Sequence, residues 1–226
     1  MNATIDTTFD AYSDTPASRD PDSHSPTLRK YHRLLWSKPL PDGTDFSLSV
    51  DQVGSYLHHE SCLGEYVLSS DSIGHTYRYV KAMAHIIGNV PPEELNQFFR
   101  ICSTVGAYMV FPARKIDRKP TINAARGLNS KIKDRFDLTL ECIKRHYNGL
   151  ESPLGDALAR YADFFDLFGC FKGYVDFFLL QDLISDDRAS IKFFLPFQRF
   201  DASPLPLYID EYRLYKKNVT AFINAR

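Results

Sequence analysis

The densest chemistry in the chain lies between Arg114 and His146. Ten Lys and Arg stand there against four Asp and Glu, a net of +6 in a chain whose total is −1. The other residues therefore sum to −7, so charge is locally polarised although the total says nothing about partners. Such a segment reads as solvated helix faces around a basic loop, or as a site for phosphate groups. Arg114, Lys115, Arg118 and Lys119 fall in an expected loop. Thr121 is placed to cap a short helix with free backbone donors beside it. Asn123 and Arg126 are three apart and project together. Farther on, Asp134, Leu138, Glu141 and Arg145 share one helical face, and Arg135 and Thr139 form an adjacent stripe. The candidate ligand-binding set is Thr121, Asn123, Arg126, Arg135, Asp137 and Glu141. Two guanidiniums across the turn from Gly127 to Ser130 would hold one anion bidentately. In the competing arrangement Asp134, Asp137 or Glu141 neutralises them and the cluster is structural.

Other chemistry-bearing residues are less ordered. His58-His59-Glu60 does not converge on a helix, and the spacing His-Glu-x-x-His is absent. His75 follows Asp71 by four residues, which suits an acid–base pair or a capped helix end. The chain has no GxGxxG, no Walker-type loop, no GxSxG elbow and no kinase motif set. No catalytic residue is assigned, and no metal or cofactor is expected. Cys62, Cys102, Cys142 and Cys170 form no CxxC pair and read as reduced, buried thiols.

The elements that must position these groups follow from capping and periodicity. Ser25-Pro26 opens a helix with Leu28, Tyr31 and Leu35 inward. Phe46 and Leu48 suggest a short strand, Val50 to Leu57 a short helix, and Glu65 to Leu68 a second strand. Ile73, Tyr77, Val80, Ala84 and Ile87 recur at helical spacing, predicting a helix over 71–87. Pro91-Pro92-Glu93-Glu94 opens the next helix, and Val105 to Phe111 reads as a buried strand. Thr121 caps a helix ending at Gly127, and Ser130 caps another reaching Tyr147. Ser152-Pro153 starts a further helix, residues 171–184 are long enough for one, Ile191 to Phe197 suggests a strand, and Tyr212, Tyr215, Val219 and Phe222 line a terminal helix.

Residues 1–25 hold five Asp, four Ser and four Thr against one Arg, an acidic segment that Phe9 and Tyr12 would pin. Residues 26–226 read as one globular domain. Ten of the 17 Phe lie between residues 164 and 200, which marks a packed centre including Phe136, Ile143, Phe165, Phe168, Phe177 and Phe178. The expected class is α+β, a mainly helical single domain with a small antiparallel sheet.

Several strings are distinctive: Ser69-Ser70-Asp71-Ser72-Ile73, Thr121-Ile122-Asn123 with Arg126-Gly127, residues 134–143, and residues 173–183 from Gly173 to Leu183. On these the chain resembles an uncharacterised bacterial family of unknown function over most of its length. The resemblance implies a bacterial origin and a cytoplasmic setting, and a longer basic ending than Phe222 to Arg226. It implies no mechanism. Met1 to Asp10 has no Lys, Arg or apolar core and does not read as a secretory signal, and no membrane span is expected. The sequence points to an intracellular protein that binds a phosphate-bearing ligand, a nucleotide or RNA. The alternatives are a non-enzymatic protein-interaction module with an aromatic surface, and a metal-independent nuclease or nucleotide-modifying enzyme.

Overall fold

The computed structural model describes residues 4–49, 54–185 and 190–226. The N-terminal segment lies on the body. Tyr12 packs on Phe99 and Phe9 meets Tyr31 edge-on, while Ala11 N donates to Ser103 O at 2.9 Å. Helix α1 (Pro21–His24) is capped by Asp20, and α2 (Pro26–Trp36) by Ser25, whose hydroxyl accepts from Leu28 N at 3.0 Å. This is the expected cap-and-proline start.

Strands β1 (Lys38–Pro39) and β2 (Asp45–Phe46) form a two-residue antiparallel pair. The main sheet is antiparallel in the order β3-β4-β5, from β3 (Leu57–Ser61), β4 (Gly64–Ser72) and β5 (Tyr108–Pro112). The alternation of side chains along β4 decides what each face carries. Tyr66, Leu68 and Ser70 are buried, whereas Val67, Ser69 and Asp71 are only partly covered. Register pairs Ser69 with Phe111 and Asp71 with Met109, which puts these four residues on one face.

The helix expected over 71–87 is corrected. Residues 69–72 extend β4, because their backbone pairs with 108–111. Only α3 (Ala84–Ile87) remains helical there, after a 3₁₀ turn at Lys81–Met83. Next come α4 (Pro92–Ile101), α5 (Ile122–Leu128), α6 (Phe136–Tyr147), α7 (Gly155–Ala159), α8 (Ala162–Asp166), α9 (Phe171–Phe177) and the long α10 (Ile209–Ala225). The buried strand keeps its place but starts at Tyr108, after a 3₁₀ turn over Val105–Ala107. Helix α6 starts five residues later than the Ser130 cap implied, since Lys133 and Asp134 take left-handed backbone (φ 46° and 60°) that no helix continues through. The helix expected from Ser152 is broken into α7 and α8, and the one over 171–184 stops at Phe177 with a 3₁₀ turn after it. The strand expected at Ile191–Phe197 is reduced to one bridge, Ile184 with Ile191. Of the helix expected over 50–57, residues 50–53 lie outside the described residues, and Leu57 begins β3.

Phe136, Ile143, Phe165, Phe168, Phe177 and Phe178 all belong to one contiguous buried cluster, as their spacing implied. Cys102 and Cys142 are buried free thiols, and burial pushes them up to about 12 and about 11. Cys62 and Cys170 are exposed, against the expectation that all four are buried, because they occupy a hairpin turn and a helix entry.

The covered side of β4 holds one carboxyl. Asp22 Oδ1 accepts from Ser70 N at 2.7 Å and Ser70 Oγ at 2.6 Å, which fastens α1 to the sheet. Burial raises this carboxyl from 3.8 to about 6 in spite of those hydrogen bonds. A raised folded-state value favours the protonated, folded form. The stabilisation is therefore complete below the unfolded value and is lost as pH rises from about 4 to about 6, by roughly 3 kcal/mol. Asp22→Asn keeps an acceptor for Ser70 and is expected to flatten the urea-midpoint profile across that window. An unchanged pH profile in this variant would assign the dependence to other groups.

Candidate functional site

The sequence-defined site resolves into separate arrangements. Helix α5 lies over the face of β4 that carries Ser69 and Asp71, and period two on the strand meets period three on the helix. Asn123 Nδ2 reaches Ser69 Oγ at 3.4 Å, one rung along from Arg126 and Asp71. Thr121 caps α5, with its hydroxyl 3.4 Å from Ala124 N.

Arg126 is fully buried. Its Nη1 donates to Asp71 Oδ2 at 2.9 Å, Nε to Thr139 Oγ1 at 3.0 Å and Nη2 to Asp134 O at 3.2 Å. The guanidinium also lies 5.3 Å from the Phe111 ring centre and 5.8 Å from that of Phe136. Sheet, α5 and the entry to α6 are thus joined at one side chain.

Arg135 is spent elsewhere. It forms a two-pronged pair with Asp137, Nε to Oδ1 at 3.1 Å and Nη2 to Oδ2, with both side chains buried. Nη1 also donates to Pro204 O at 3.2 Å, and Asp137 Oδ2 accepts from Phe194 N at 2.8 Å. Glu141 pairs with Arg145 at 2.8 Å one turn along α6. The expectation that Arg126 and Arg135 flank one anion is corrected: each is bound within the fold by its own carboxylate. A desolvated guanidinium needs such a counter-charge, so the two cannot stand together facing solvent.

The sequence reading missed Asp71 as the partner of Arg126, because it placed Asp71 on a helix. The alternation of Ser69 and Asp71 was the available signal. Around this pair the side chain of Asp71 keeps 40% exposure, and Asp134 and His75 are partly covered. His75 Nδ1 accepts from Tyr77 N at 2.9 Å, which leaves the proton of the neutral ring on Nε2. Burial holds this histidine below the ordinary imidazole range, against the pull of Asp134. Tyr77, Lys133 and Asp134 all have positive φ, and Tyr77 Oη donates to Lys133 O at 3.3 Å, so strained backbone from two segments is tied together here. Gly127 lets α5 approach the Asp134 side chain closely. A Cβ there would lie 3.0 Å from Asp134 Oδ2.

Within the basic segment the exposed cations are Lys131 and a group of four in the loop between β5 and α5. Lys115, Arg118 and Lys119 are exposed and carry no ion pair among the described residues, while Arg114 makes a solvated contact with Glu65 at 3.3 Å. The loop is tied down at both ends: Tyr161 Oη donates to Arg114 O at 2.9 Å, and Arg160 Nη2 to Pro120 O at 2.7 Å. Among the described residues no group of three or more His, Cys, Asp or Glu could hold a metal ion, and no helix is long and apolar enough to cross a membrane.

A mixed α+β chain with a three-stranded antiparallel sheet and a basic loop at its edge is the class that the fold and site define. The chain belongs to a family of unknown function, DUF6994, whose model matches residues 5–226. Searches of curated proteins and of solved structures returned no match.

Proposed function

We propose that this protein binds a phosphate-bearing polymer, RNA, through Lys115, Arg118 and Lys119, with Arg114 and Arg160 alongside. One observation carries the reading. The helix arginines of the basic segment are consumed by Asp71, Asp137 and Glu141, whereas the loop cations stand in solvent. Solvated cations on a tethered loop suit phosphodiester contacts, which depend on counter-ion release more than on a shaped pocket. A single nucleotide offers fewer such contacts.

The test is fluorescence anisotropy with a labelled single-stranded RNA across a salt series. Three phosphate contacts give a log–log slope of about −2. The triple variant Lys115→Glu, Arg118→Glu, Lys119→Glu is expected to lose about tenfold or more in affinity with an unchanged melt. Arg126→Gln is expected to do the reverse, lowering the melting temperature while the folded fraction binds RNA as the parent does. Equal RNA affinity in parent and triple variant would overturn the proposal, as would tight, salt-insensitive binding of a mononucleotide.

A further inference from the structure

We propose that the cleft between β1 and α9 binds a small carboxylate with an apolar body, its anionic end resting on Lys38 and Lys172. The cleft has a volume of about 460 Å³, within the range of small-molecule sites. Its walls are Pro39, Pro41 and Phe177, with Gly173 at the contact of α9 with the β1–β2 turn. A Cβ on Gly173 would lie 2.1 Å from Phe168 O and 3.0 Å from Pro41 Cγ, so the close approach that shapes this wall depends on glycine.

Lys38 is the group that points to a ligand. Its Nζ lies 4.7 Å from the Phe177 ring centre and 5.3 Å from that of Trp36, on two aromatic faces. No carboxylate pairs with it among the described residues. Partial burial and the nearby Arg226 guanidinium both lower its affinity for a proton, so an uncompensated charge sits at the cleft wall. Lys172 also lines the cleft and pairs with Asp176 one turn along α9. The lining charges thus sum to +1: Lys38 and Lys172 against Asp176. A monoanion balances that charge. A phosphate dianion overshoots it and faces Asp176, and an amine is repelled by Lys38. The apolar walls take the body of the ligand.

Hexanoate is the probe, compared with hexan-1-ol, hexylamine and hexyl phosphate, by thermal shift and by NMR of ¹³C-lysine. Hexanoate is expected to raise the melting temperature and to move the Lys38 titration upward in the unaltered chain. Hexan-1-ol and hexylamine are expected to do neither, and hexyl phosphate to bind more weakly. Lys38→Met keeps the apolar stem over the rings and is expected to abolish the hexanoate shift. The proposal is overturned by an equal hexanoate shift in Lys38→Met, by an unmoved Lys38 resonance, by an equal response to hexylamine, or by no response to hexanoate at millimolar concentration.

Discussion

Asp137→Asn is expected to destabilise the fold by about 3–5 kcal/mol, the range for breaking a buried ion pair from one side. The carboxylate answers three donors at once, two from Arg135 and one from Phe194 N. An amide at this position turns its NH₂ toward a guanidinium, while the buried Arg135 charge stays behind with carbonyl partners only. The loss reaches beyond the pair, because residues 194–204 have little regular structure and are held to α6 through these bonds. Amide exchange at Phe194 should therefore accelerate more than exchange within β4 or β5. Urea unfolding measures the global effect. The double variant Arg135→Met, Asp137→Leu removes both charges and is expected to be more stable than Asp137→Asn alone. A double variant no better than the single one would show that the pair itself contributes net stability.

Phe165→Ala is the second large effect, again about 3–5 kcal/mol. The ring is completely buried and meets His146, Phe164 and Tyr174 at centroid separations of 5.2, 5.6 and 5.7 Å. Its carbonyl accepts the hydroxyl of Tyr147 at 2.6 Å, so α6 and α8 meet at this residue through ring and backbone together. Truncation leaves a cavity between elements whose backbones are already tied, which restricts relaxation. A melt of Phe165→Ala that coincides with the parent's would remove this residue from the core.

What was legible in the sequence follows from how local the signals are. Caps at Ser25 and Thr121, prolines at Pro26 and Pro92, and the periodicity of the terminal helix all act within one or two turns, and these elements form where expected. The spacing of Ile73, Tyr77 and Val80 also looked local. At its start it yields to long-range bonding, since Asp71 and Ser72 pair with Met109 and Tyr108 and Ile73 N donates to Ala107 O, which no periodicity encodes; farther on, Tyr77 takes a left-handed backbone (φ 55°) that no helix continues through. The candidate site shows the same division. Asn123 and Arg126 do project together from α5, yet their partners, Ser69 and Asp71, come from a strand. Arg135 and Asp137 are two apart, a spacing that does not pair on a helix, and they meet because Arg135 precedes the first turn of α6.

Trp36 is the single tryptophan, and its surroundings give it a use beyond packing. The indole is buried at the end of α2 and donates to His32 Nδ1 at 3.2 Å. It lies 5.3 Å from Lys38 Nζ and 5.4 Å from the Arg226 guanidinium, with Phe177 and Phe178 against it. Its emission is therefore a one-position optical signal from the junction of α2, α9 and α10. Events confined to the basic loop or to the Arg126 region should leave that signal dark, while anything that moves Lys38 or Arg226 relative to the ring should change it.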